Sequence, residues 1–182
     1  LIRSNTKLPE ALVKQIPSIR LVSTCGVGYD NLPLDYLKLK GIKATNTPGV
    51  LNDAVCELAI GMMFSLIRRI PECQEHVKSG AWAKGLFPLT TTLAGKKVGI
   101  VGMGRIGQGI AKRALGFGMN VIYHNRSRLP ETDEKACGAK YVSKEELLRT
   151  ADHVVLVLPY TAENHHTIGA KEIALMKPTA TL

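Results

Sequence analysis

The sequence has 182 residues, 45% of them apolar, with 24 Lys and Arg against 15 Asp and Glu, a formal net charge of +9. That is one large domain or parts of two with enough apolar residues for a core, and the composition excludes disordered, collagen-like and disulfide-scaffold chains. The basic residues are scattered, the densest pairs being Arg68-Arg69, Lys96-Lys97 and Lys112-Arg113 without interleaved aromatics; this is read as solvated surface that can steer an anionic substrate, and no nucleic-acid partner is expected.

In chain order, Ile19 to Cys25 reads as a strand, Leu34 to Lys40 as a helix ended by Gly41, and Ile42 to Asn46 as a second strand. Thr47-Pro48-Gly49 marks a break. Leu51, Val55, Leu58, Met62, Leu66 and Ile70 recur at helical spacing, so a helix is expected over 51–70, capped by Asn52 or Asp53 and stopped by Pro71. Its apolar residues exceed one stripe, which predicts burial on more than one side, within the chain or between subunits. A further helix and a loop carrying Trp82 and Pro88 follow. From Lys97 the rhythm changes: an apolar strand at Val98 to Val101, a helix face at Ile106, Ile110, Ala111, Ala114 and Leu115, a strand at Asn120 to Tyr123, a capping box at Ser143 and Glu146, and a strand from His153 to Leu158. Wholly apolar strands alternating with helices predict a parallel sheet covered on both faces.

Gly102-Met103-Gly104-Arg105-Ile106-Gly107 stands between the expected strand and helix. In that setting a G-x-G-x-x-G is a dinucleotide fingerprint: Gly102 allows the tight turn, Gly104 the approach of a pyrophosphate, and Gly107 close packing of helix on strand. The helix N-terminus offers unpaired N–H groups to the phosphates. The second strand ends in Tyr123-His124-Asn125-Arg126-Ser127-Arg128. The carboxylate that would hold a ribose 2′-hydroxyl is absent, and Arg126, Ser127 and Arg128 stand where a 2′-phosphate would lie, so NADP(H) is expected over NAD(H), with NAD(H) still possible.

The cysteines, Cys25, Cys56, Cys73 and Cys137, lack C-x-x-C spacing and histidine partners at zinc spacing. Free thiols in a reducing, cytoplasmic compartment are expected, and no metal. Leu58 to Ile67 is too short an apolar stretch to cross a bilayer, and there is no signal-peptide pattern, so no membrane association is expected. His76, His153, His165 and His166 carry no expected role. Leu1-Ile2-Arg3 and Thr179 to Leu182 read as parts of strands, so the sequence is expected to be a portion of a longer chain.

The stretch from Gly99 to Gly107, with Gly116-Phe117-Gly118-Met119, resembles the signature of the D-isomer-specific 2-hydroxyacid dehydrogenases. So do Cys25-Gly26-Val27-Gly28-Tyr29-Asp30, Thr47-Pro48-Gly49 with Glu57-Leu58-Ala59, and Met176-Lys177-Pro178-Thr179. Tyr123 to Arg126 and Leu158-Pro159 look most like the glyoxylate/hydroxypyruvate and 2-ketogluconate reductases. The resemblance implies an α/β fold: a Rossmann-type doubly wound parallel sheet over 48–182, incomplete at its C-terminal end, with part of a flavodoxin-like substrate domain over 1–47. It implies hydride transfer between NAD(P)H and a small 2-oxoacid, and a homodimer when full length. The backbone N–H groups of Val27 and Gly28 would meet the substrate carboxylate, as an anion-binding nest or as a plain turn. Cys56 would line the cofactor pocket or be a core thiol. Arg105 and Ile106 would meet the pyrophosphate, and Leu158, Pro159 and Asn164 the cofactor. The family's catalytic Arg, Glu and His match no position here and are expected beyond Leu182, so no catalytic residue is named. The alternative is a nucleotide-sensing interaction module resembling the transcriptional corepressors of this fold.

Overall fold

Seven strands and eight helices alternate along residues 1–182, all of which the computed structural model describes. They divide into two units, Leu1–Asn52 with Pro159–Glu163, and Asp53–Leu158 with Asn164–Leu182. The division falls five residues past the break read at residues 47/48; Thr47 itself is tied to the first unit, its N–H donating to the Gly26 carbonyl at 2.9 Å. The short segment 159–163 also groups with the first unit, where a continuous domain over 48–182 was expected.

The first unit runs β1 (Ile2–Arg3), α1 (Glu10–Lys14), β2 (Leu21–Cys25), α2 (Leu34–Leu39) and β3 (Lys43–Thr45). All three strands are parallel, in the order β1-β2-β3. Leu8, Val13, Val22, Leu32 and Leu37 close their core.

The second unit opens on α3 (Asn52–Ile67). Its packing stripe is Cys56, Ile60, Met63 and Ile67; the expected stripe faces the other way, with Leu58 64% and Met62 57% exposed. Both stripes are apolar at helical spacing, so periodicity alone does not choose between them. Pro71 does not stop this helix. Arg69 ends it in the left-handed conformation, and Pro71 lies in the first turn of α4 (Ile70–Lys78), where the missing N–H costs nothing.

The sheet of this unit comprises β4 (Lys97–Val101), β5 (Asn120–His124), β6 (Ala139–Tyr141) and β7 (His153–Leu156), connected through α5 (Arg105–Gly116), α6 (Glu131–Cys137) and α7 (Lys144–Thr150), with α8 (Ala170–Leu175) after β7. All pairings are parallel and the order is β6-β5-β4-β7. This is the Rossmann pattern: the chain winds one way from β4 to β6 and then crosses back to β7, leaving a switch point between β4 and β7. A parallel bridge between His153 and Thr181 continues the sheet beyond β7. Leu147 and Leu148 of α7 are fully buried on one face and Ile100, Ile110 and Tyr123 in the other core cluster. Each such side chain contributes roughly 1.5–3 kcal/mol of apolar burial. Ser143 caps α7 by accepting from the Glu146 N–H at 3.1 Å.

Two features fix the C-terminal ends of β4 and β5. Gly102 has φ +105°, and a Cβ there would overlap the Val157 carbonyl oxygen; a Cβ on Gly107 would overlap the Gly102 carbonyl. The second is a polar cluster under the loop after β5. The fully buried Tyr123 donates to Glu134 Oε1 at 2.7 Å and accepts from the Leu129 N–H at 2.8 Å. Arg128 grips both Glu134 oxygens, at 2.8 and 2.7 Å. The Arg128 and Tyr123 hydrogen bonds hold the Glu134 carboxyl down to about 2, while burial and the same carboxylate push Tyr123 up to about 12.

Two outcomes follow. Gly102→Ala is expected to destabilise the protein by on the order of 3 kcal/mol, through its backbone conformation and the Val157 overlap. Gly104→Ala, whose Cβ would meet nothing within 4 Å, is expected to change stability by under about 1 kcal/mol; denaturant unfolding of both variants checks the contrast. The second concerns acid. The Glu134 contribution is fully present above its ordinary value of 4.5 and is lost as pH falls toward 2. Glu134→Gln should therefore lower the thermal midpoint at neutral pH and flatten its decline between those limits; an unchanged slope would show that another carboxylate governs it.

Candidate functional site

The glycine-rich turn leaves β4 at the switch point, and its hydrogen bonds explain its shape. The Gly102 N–H continues the ladder to the His124 carbonyl at 3.0 Å. The Met103 N–H is then taken by the side chain of Asn125, at 2.7 Å to Oδ1. Asn125 therefore ties the turn after β4 to the end of β5, a role that its position as a missing carboxylate did not suggest. Its own carbonyl accepts from the Tyr141 hydroxyl at 3.3 Å.

Beyond Met103 the turn opens. Gly104 is the exposed N-cap of α5, with no side chain capping the helix and no acidic residue in its first turn. The first-turn N–H groups of the twelve-residue α5 are thus left for an outside acceptor, at the end of the helix that carries partial positive charge. The bare Cα of Gly104 allows a phosphate to reach them. These residues fit a dinucleotide pyrophosphate: Gly104, Arg105 and Ile106 present the amides, while Gly102 and Gly107 allow the crossing beneath. Arg105 is exposed and Ile106 half-buried.

Beneath the turn, Cys56 of α3 is completely buried and its thiol donates to the Ile106 carbonyl at 3.3 Å. A Cβ on Gly109 would stand 2.6 Å from its sulfur. Burial pushes the thiol pKa up. Cys56 thus sits in the core beneath the first turn of α5, joined to the residue expected at the pyrophosphate through the Ile106 carbonyl. Arg113 anchors the same pair of helices through Asp53 at 2.9 Å and Glu57 at 3.8 Å.

The loop after β5 brings Asn125 against the turn, with Arg126 and Ser127 exposed beside it. Arg128 has a partner that its letter did not suggest: its guanidinium is engaged through Nε and Nη2 by Glu134, which keeps it strongly protonated. The sequence carries one signal for this: Glu134 and Cys137 lie three apart on the buried face of α6, and a buried glutamate requires a cation. After β7, Leu158 is half-buried against the α7 side of the sheet and Pro159 is exposed. The Asn164 carbonyl accepts from the N–H and hydroxyl of Thr167, at 3.2 and 2.7 Å. His165 and His166 are exposed, whereas His153 is buried and hydrogen-bonded to the Thr181 hydroxyl at 2.8 Å. No group of three or more His, Cys, Asp or Glu is placed to hold a metal ion, and all four cysteines are free.

In the first unit, Val27 and Gly28 lie in the exposed loop after β2. Neither backbone N–H donates to a group of the chain. The loop is anchored at its far end by Asn31, whose Nδ2 donates to the Thr6 carbonyl at 3.0 Å and the Arg3 carbonyl at 3.2 Å.

Comparison with known proteins agrees with this geometry. Residues 60–182 match the family described as D-isomer specific 2-hydroxyacid dehydrogenase, NAD binding domain. The glyoxylate reductase of Thermococcus litoralis is 46% identical over 182 residues, a span that takes in 97% of this chain and 55% of that protein. Glyoxylate/hydroxypyruvate reductase B of Klebsiella pneumoniae is 39% identical over 183 residues, with 99% and 56% covered. Among solved structures, the 2-hydroxyacid dehydrogenase of Ketogulonicigenium vulgare Y25 superposes with a TM-score of 0.88 at 32% identity, over 98% of this chain and 55% of that one. The D-lactate dehydrogenase of Aquifex aeolicus, in complex with NAD and lactic acid, gives 0.87 at 34% identity over 96% and 52%. The chain thus spans about half the length of the relatives it matches. On the strength of its matched sequence, its sheet order and its glycine-rich turn, the chain belongs to the D-isomer specific 2-hydroxyacid dehydrogenase family.

Proposed function

We propose that the protein to which this chain belongs reduces a small 2-oxoacid of the glyoxylate or hydroxypyruvate type, using NADPH in preference to NADH. The observation that carries the reading is the open first turn of α5 beside a β5 end without a carboxylate, in a chain 46% identical to a glyoxylate reductase. The bound nicotinamide would supply the hydride. The residues of this chain bind and orient. The amides of Gly104 to Ile106 would hold the pyrophosphate. Asn125 keeps the turn in shape through Met103. Arg126, with Ser127, would face the ribose 2′-phosphate; Arg128, held by Glu134, would contribute little. The Val27 and Gly28 amides would receive the substrate carboxylate. The Arg, Glu and His that the family resemblance implies for the chemical step match no residue among 1–182, so the residues named here are assigned binding and orientation alone. The absence of any helix long and apolar enough to cross a membrane, together with four free thiols, fits work in a reducing cytoplasm.

The outward stripe of α3 supports a homodimer. Val55, Leu58, Met62 and Leu66 are all exposed along one line of the helix. A contiguous apolar surface of this kind marks an interface, and a second copy would cover it.

A charge-assisted contact to phosphate contributes about 1.5–3 kcal/mol, a preference for NADPH of roughly 10- to 100-fold. In the full-length protein, Arg126→Ala should lose that preference by weakening NADPH alone. Asn125→Asp retains an acceptor for the Met103 N–H but repels the 2′-phosphate, and should turn the preference toward NADH. Arg128→Ala should change the ratio by less than about threefold, since its guanidinium is already committed. Values of kcat/KM for both cofactors check all three; a wild type that prefers NADH would refute the cofactor choice. For the interface, Leu58→Glu with Met62→Glu should convert a dimer to a monomer in sedimentation experiments, and an unchanged mass would place the interface elsewhere.

A further inference from the structure

The Val27–Gly28 loop is shaped by two side chains that precede the Pro48-Gly49 turn. β2 and β3 pair in parallel only as far as Ser23 and Thr45. Past that point the backbones separate, and side chains take over the bridging. Thr47 closes on Gly26 from three directions: its N–H donates to the Gly26 carbonyl at 2.9 Å, its hydroxyl accepts from the Gly26 N–H at 3.0 Å, and the hydroxyl also stands 3.3 Å from the Gly26 carbonyl. Asn46 reaches one residue further, and its Nδ2 donates to the Val27 carbonyl at 2.8 Å.

These contacts determine where the next two amides point. No peptide bond in the chain is cis. In a trans peptide the carbonyl and the following N–H point in opposite directions across the plane. Holding the Gly26 carbonyl on Thr47 therefore turns the Val27 N–H away from Thr47. Holding the Val27 carbonyl on Asn46 turns the Gly28 N–H away from Asn46. Both N–H groups are left without an acceptor in the chain, in an exposed loop. Successive free amides of this kind form a concavity that favours an anion. Gly26 can follow this path because it is a glycine at φ +156°, and a Cβ would stand 2.7 Å from the Ser4 Cβ. The Asp30 carboxylate lies close to Gly28, its Oδ1 3.1 Å from where a Cβ would be. An anion held there meets a nearby like charge, so the aim of the amides governs whether it binds.

We propose that Asn46, assisted by Thr47, is a positioning residue for the 2-oxoacid carboxylate, acting through the Val27 and Gly28 peptides that it orients. The inference rests on the reading that these amides receive the carboxylate. Asn is suited to the position because its amide donates while adding no charge; an aspartate of the same shape would lose the donor, face the Val27 carbonyl unfavourably and repel the anion.

The test is steady-state kinetics of the full-length enzyme with NADPH, comparing glyoxylate with glyoxal, which has an aldehyde in place of the carboxylate. Asn46→Ala should raise KM for glyoxylate about tenfold, the loss of roughly one charge-assisted hydrogen bond. Asn46→Asp, which preserves volume and so controls for packing, should raise it further. In both variants kcat, KM for NADPH and kcat/KM for glyoxal should stay within about twofold of wild type, a split that general loosening of the loop would not produce. If the variants leave KM for glyoxylate unchanged while wild type strongly prefers glyoxylate to glyoxal, the positioning role is wrong and the carboxylate reading survives. If they impair glyoxylate, glyoxal and NADPH alike, Asn46 is merely structural and the inference is overturned. If wild type uses glyoxylate and glyoxal equally well, no carboxylate is recognised, and the reading beneath the inference fails with it.

Discussion

The chain leaves β4 under the path of the chain leaving β7, and the space between them admits no side chain at Gly102. That crossing is what a sheet of order β6-β5-β4-β7 imposes, since the two strands bordering the switch point send their connections to opposite faces. Once Gly102 makes room, α5 can start directly above the sheet edge with its amides pointing outward. Gly107 lets the helix lie against the turn, Cys56 fills the space beneath, and Asn125 holds the turn from the neighbouring strand. The uncapped, outward-facing start of α5 is therefore a consequence of topology, and the side chains around it chiefly preserve a backbone shape.

The fold was legible because its signals are local and repetitive. The strands at Val98 and Asn120, the turn between glycines 102 and 107, and the cap at Ser143 each follow from a few adjacent residues, and the structure places them as expected. What was not legible required knowing which of two equivalent surfaces meets the core. The α3 helix carries apolar residues on both faces, and only the position of α5 decides that Cys56, Ile60, Met63 and Ile67 turn inward. Pro71 likewise reads as a stop or a start, and the left-handed Arg69 makes it a start.

The site was legible in its backbone and less so in its charges. Glycine spacing located the turn, but the partners of Asn125 and Arg128 lie 22 and 6 residues away, on the first turn of one connection and the helix of another. Arg126 and Arg128 look equivalent as letters. Nothing in their order shows that Glu134, on the inward side of α6, has a buried charge that must be neutralised and that Arg128 is the cation that meets it. A count of nearby cations thus overstates how much positive charge is available to a ligand.

The same ion pair sets how freely this edge of the site can vary. Leu129 is fastened to Tyr123 and Arg128 to Glu134, so the loop after β5 is pinned at its far end, while Asn125 pins its near end. Only Arg126 and Ser127 lie between these anchors, exposed to solvent. That interval is very short, and it is bounded on both sides by side chains that hold the loop to the sheet below. A lineage carrying this scaffold could vary those two exposed positions while leaving the strands beneath untouched, whereas the turn after β4, built from crossing backbones that admit no side chain at Gly102 or Gly107, would tolerate almost no change.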